Sequence, residues 1–84
     1  MTELTSQQTI DRAHRASEIL DNPTLQKAFE GVRQAMLERI EATNIGDRDT
    51  QHELALSLQI LKSVRRMLEN WVRDGQVEKH RNAK

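Results

Sequence analysis

Cysteine is absent from this chain of 84 residues, and no Cys/His cluster takes its place, so neither a disulfide nor a structural zinc can staple it. Absence of cysteine also fits a reducing cytoplasm. Aromatic side chains are almost missing: Phe29 and Trp71 are the whole set, which removes the groups that dominate core burial. A chain this short buries only a marginal core by itself, and with staples excluded self-association is the remaining route to stability. No apolar run approaches the roughly 20 residues that span a bilayer. The start, Met1 to Gln8, lacks the basic and apolar stretches of a secretory signal. The expectation is a soluble, non-secreted protein without membrane contact. An excess of one charge is lacking too, since thirteen basic residues balance thirteen acidic ones, so no global field draws the chain toward nucleic acid or membrane. The balance conceals a gradient. Up to Glu53 the chain carries six Lys/Arg and ten Asp/Glu, and from Leu54 onward seven against three.

What is present is helical periodicity. Thr5, with Gln8 three residues on, has capping-box spacing and opens a helix over about 6–20, in which Ile10, Ala13, Ala16 or Ser17, and Leu20 recur at steps of three to four. Asp21-Asn22-Pro23 stops it, because proline lacks an amide donor and drives Asn22 out of the α region. The same joint starts a second helix over about 23–43, with Asn22 as cap and Pro23 in the first helical position. Leu25, Ala28, Phe29, Val32, Met36 and Ile40 form its apolar stripe. Gly31 within it reads as a tolerated surface glycine, or alternatively as a point of close helix approach. The cluster Thr43 to Asp49 suits a short connection, with Asp47 or Thr50 capping the next helix.

The third helix, about 48–74, carries one seam of Leu54, Leu58, Leu61, Val64 or Arg65, Leu68, and Trp71 or Val72. A second row, Ile60 and Met67, flanks it, so the apolar face is wide enough to meet the second helix on one side and either the first helix or another subunit on the other. Asp74-Gly75 reads as its end, with Gly75 as the left-handed residue after the cap and 76–84 as a frayed polar tail. The fold class expected is all-α: a single domain over 1–84, an antiparallel hairpin of two long helices with a short N-terminal helix, completed by oligomerisation.

Each candidate for chemistry fails at its first geometric requirement. His52-Glu53 begins like a zinc-binding HExxH, but Leu56 occupies the second histidine's place. His14 and Glu18 stand one turn apart and supply two ligands where a site needs three or four. His80 has no partner in sequence, no serine stands in a nucleophile elbow, and Gly31, Gly46 and Gly75 are too scattered to cradle a phosphate. No enzyme activity, cofactor or metal is expected. Lys62, Arg65, Arg66 and Arg73 make a basic set on the third helix, of which 62, 66 and 73 share a face and are able to track a phosphate backbone. A solvated face, or one paired with the acidic region of a neighbouring subunit, outweighs that reading because no aromatic is interleaved to stack on bases. Phe29, Val32, Met36, Leu61, Leu68 and Trp71 are the candidate core or interface anchors. The acidic stretch 38–53 is a candidate surface for another protein.

Taken in order, Ala16-x-x-Ile19-Leu20-Asp21-Asn22-Pro23-x-Leu25-x-x-Ala28-Phe29, then Leu37-x-x-Ile40 and Asp47, then Leu61-x-x-Val64-Arg65-x-x-Leu68 and Gly75, the chain resembles a group of small helical proteins encoded by tailed bacteriophages and prophages. The likeness spans about residues 13–78. After Asp47 the chain reads Arg48-Asp49-Thr50-Gln51-His52-Glu53 where the group carries a Gly-Arg-Glu stretch. The resemblance implies a gene among those for virion morphogenesis and no catalytic activity. Joined to the self-association expected from the small core, it makes the leading expectation a homo-oligomer that works in virion assembly or as a minor virion component, alone or with other phage structural proteins, in the host cytoplasm or the virion.

Overall fold

Three helices account for all regular structure among residues 4–82, which the computed structural model describes: α1 (Ser6–Asp21), α2 (Pro23–Ala42) and α3 (Arg48–Asn82). The fold is all-α. Each helix start is built by the chemistry its residues offer. At α1 the Thr5 hydroxyl accepts from the Gln8 amide at 3.2 Å and the Gln8 side chain accepts from the Thr5 amide at 2.9 Å, a complete capping box. Asn22 is extended (φ −72, ψ 115), and its amide donates to the Ile19 carbonyl at 3.2 Å. Pro23 then occupies the first position of α2, where its missing donor costs nothing.

The connection 43–47 satisfies its own backbone. Thr43 returns its hydroxyl to the Arg39 carbonyl at 2.6 Å, and the Gly46 amide donates to the Asn44 side chain at 3.0 Å. Of the two candidate caps for α3, Asp47 holds the position: its carboxylate accepts from the Thr50 amide at 3.1 Å and the Thr50 hydroxyl at 2.7 Å. Those two bonds favour the charged form and lower the Asp47 pKa below the usual carboxylate range.

The third helix does not end at Asp74-Gly75. It continues to Asn82, and no glycine among the described residues has a positive φ. The expected left-handed cap and frayed tail are therefore corrected for residues 75–82; residues 83–84 lie outside those described. The physical reason is a partner. Gly75 is buried against α1, and a methyl group built on it would fall on the Ala13 Cβ, with the Thr9 carbonyl 3.6 Å away. Glycine is kept here for close approach of two helices rather than for a turn.

By their contacts the residues divide into two compact units. In the first, α1 packs on the part of α3 from Arg65 onward. Ser6 meets Glu78, Ala13 meets Gly75, and Arg12 reaches Asp74 and Trp71, so the two segments run antiparallel. Ala13 and Ala16 are its buried hydrophobic residues, 7% and 2% exposed, and Ala13 sits against the buried Gly75 of α3. The second unit runs over Pro23–Val64 and joins α2 to the first part of α3 through the 43–47 connection. Leu54 is buried there, while Phe29, Met36, Ile40, Leu58 and Leu61 are half-buried. No residue of α2 is buried.

The two mid-helix glycines therefore predict substitutions of opposite sign. Gly31 has nothing within 4 Å of a built Cβ, so Gly31→Ala should stabilise by up to about 1 kcal/mol through helix propensity. Gly75→Ala should destabilise by on the order of 1 kcal/mol, because overpacking against backbone-anchored Ala13 exceeds the propensity gain. Thermal unfolding followed by circular dichroism at matched protein concentration checks both.

Asp47 gives α3 an acid-sensitive start. Because its pKa is lower in the folded chain, its contribution is present above the ordinary carboxylate pKa and is lost as pH falls through the folded value. Helicity measured from pH 7 down to 2 should show an acid-side loss that begins below about pH 4 and becomes shallower in Asp47→Asn, which keeps a capping oxygen without the charge.

Candidate interaction surface

Large apolar side chains stand exposed on the surface of the described residues. On α3, Leu56, Ile60, Val64 and Met67 follow one another at steps of four, four and three, and they are 43%, 65%, 48% and 50% exposed. That spacing keeps them on one side of a helix. Ile60 and Met67 are legible in the sequence as a second apolar row; Leu56 and Val64 complete it. The turn adds Ile45, 88% exposed, and α2 adds Val32.

The six anchor candidates fall at graded depths. Phe29, Met36, Leu61, Leu68 and Trp71 are half-buried and Val32 is exposed, and none is among the buried residues. Phe29, Val32, Met36 and Leu61 belong to the second unit, Leu68 and Trp71 to the first. In the first unit Trp71 has a specific partner: the Arg12 guanidinium lies 4.8 Å from its ring centroid and reaches Asp74 at 3.7 Å. The Arg12 Nε is buried without a hydrogen-bond acceptor. Nearby, Glu78 accepts from the Ser6 hydroxyl at 3.0 Å and pairs with Arg81 at 3.4 Å. Arg12, Asp74 and Glu78, with Leu4, Thr9 and Val77, line an open groove of about 450 Å³. Sequence reasoning missed the Arg12 interactions, which join residues far apart in the chain.

The basic set Lys62, Arg65, Arg66 and Arg73 is exposed throughout, and among the described residues no ion pair engages it. The acidic residues Glu38, Glu41, Asp47, Asp49 and Glu53 are exposed as well. His14 and Glu18 approach to 3.5 Å as an exposed pair one turn apart, and among the described residues no group of three or more potential ligands gathers to hold a metal ion. Ser57 and Ser63 donate to the Glu53 and Gln59 carbonyls of their own helix, at 2.9 and 2.8 Å. No helix among the described residues is long and apolar enough to cross a membrane.

No protein-family model, curated protein or solved structure matches this chain.

Proposed function

We propose that this chain is a non-enzymatic protein that works by self-association, its long helices forming an antiparallel hairpin that is completed by another copy. The observation that carries this reading is the row of exposed apolar side chains on α3: Leu56, Ile60, Val64 and Met67 are 43%, 65%, 48% and 50% exposed. An amphipathic helix of 20 residues with none buried, α2, supports the same conclusion.

The setting proposed is the assembly of a tailed-phage virion, with the protein in the host cytoplasm or retained as a minor virion component. That part rests on the sequence resemblance, and association with other phage structural proteins belongs with it. Sedimentation equilibrium at micromolar concentration should give a mass of two or more chains; a strict monomer overturns the self-association. Mass spectrometry of purified virions checks the setting.

One observation favours a second reading, nucleic-acid binding through Lys62, Arg65, Arg66 and Arg73: all four are exposed and free of ion pairs among the described residues. The zero net charge and the acidic Glu69 between them weigh against it. If it holds, mobility shifts should weaken steeply with salt, and replacing the four with alanine should reduce the slope by about 0.9 for each phosphate that is no longer neutralised. No shift at low salt removes this reading.

A further inference from the structure

We infer that α1 and the end of α3, residues 76–82, form a latch that docks and releases in one step, with Gly75 as its pivot. With α1 in place α3 runs unbroken to Asn82. With α1 released, α3 ends at Asp74-Gly75 and 76–82 lose their helix. The device lies within the first unit and does not depend on self-association.

Gly75 suits both states, for different reasons. In the docked state it is helical, and a Cβ built on it would fall on the Ala13 Cβ. In the released state Asp74-Gly75 is a local stop, with glycine free to turn left-handed after the cap. An alanine would suit neither, being too large for the first and strained at the positive φ of the second.

What holds 76–82 in the helix comes from α1. Gln76, Val77, Lys79, His80 and Arg81 are exposed. The side chain of Glu78 is 16% exposed and accepts from the Ser6 hydroxyl at 3.0 Å. Within the stretch, Glu78 and Arg81 add a contact at i,i+3, which contributes little. Glycine propagates a helix poorly, so a short polar stretch beyond it depends on docking to stay helical.

The dependence also runs the other way. The buried hydrophobic residues of α1 are Ala13 and Ala16, whose small area cannot hold a 16-residue helix in place. Its remaining links go to Trp71 and Asp74 before the pivot and to Glu78 beyond it. Loss of helix in 76–82 removes Glu78 from that set. Each segment is ordered by the other, which is the condition for a single cooperative opening. Release also lifts the Arg12 guanidinium from its place 4.8 Å from the Trp71 ring centroid, and so uncovers the chain's one tryptophan.

Native-state hydrogen exchange on the full chain, at matched concentration, tests the latch. Ala13→Leu, which forces α1 away from Gly75, should lower the protection of amides in 76–82 by about 10-fold together with that of α1, while amides of 54–61 in the other unit keep theirs. Gly75→Ala should release α1 as well, yet leave 76–82 better protected than in Ala13→Leu, because alanine carries the helix onward. Trp71 emission should move to longer wavelength in both variants as Arg12 leaves the ring. A milder change, Ser6→Ala, should lower the protection of α1 and of 76–82 by one common factor of about 5. Release of α1 with 76–82 protected as in the wild type overturns the coupling, as do unequal factors in Ser6→Ala. Equal loss over 76–82 in Ala13→Leu and Gly75→Ala overturns the pivot, and Trp71 emission unmoved in both overturns the release.

Discussion

The close approach of Ala13 to Gly75 is the interaction on which the first unit depends. It is possible because neither helix presents a large side chain at that point. It obliges Gly75 to remain helical, and so carries α3 through to Asn82. That continuation puts Glu78 within reach of Ser6 and keeps Asp74 and Trp71 beside Arg12. Had α3 ended at Asp74, the short helix α1 would have faced little more than Trp71, and its buried residues, Ala13 and Ala16, bring too little apolar area to hold a helix in place by themselves.

Much of the local structure was legible because it is written in neighbouring residues. Thr5 with Gln8 and Asn22 with Pro23 each fix a boundary within four positions, while Asp47 and Thr50 stand as alternative caps that the structure resolves in favour of Asp47. Gly75 was not legible for the opposite reason. Asp-Gly after an apolar row is a strong local stop signal, and the atom that overrides it belongs to Ala13, at the far end of the sequence. A clue did exist in α1. A helix whose inward positions are Ala13 and Ala16 requires a partner that also presents something small, and Gly75 is the glycine in α3. Gly31 shows that composition alone cannot make the distinction, since the same residue in mid-helix there meets open space.

The candidate surface was legible in part. Periodicity finds apolar rows without saying which of them the chain itself covers. Ile60 and Met67 stand out as a flanking row, but Val64 reads as a member of the inner seam and Leu56 belongs to neither. Exposure separates the rows: the side chains of the Leu54 row lose much of their surface to the fold, while those of the Leu56 row keep nearly half or more.

Scarcity of large side chains links the fold to the function. With two aromatic residues and no cysteine, the chain has few large side chains to bury and no disulfide to compensate for them. A protein under that constraint either remains marginal or draws its stability from association, in which case folding and assembly become one equilibrium governed by concentration. Such coupling suits a component that must be soluble when dilute and committed when gathered. On the self-association proposed above, the exposed row on α3 is apolar surface that another copy would cover.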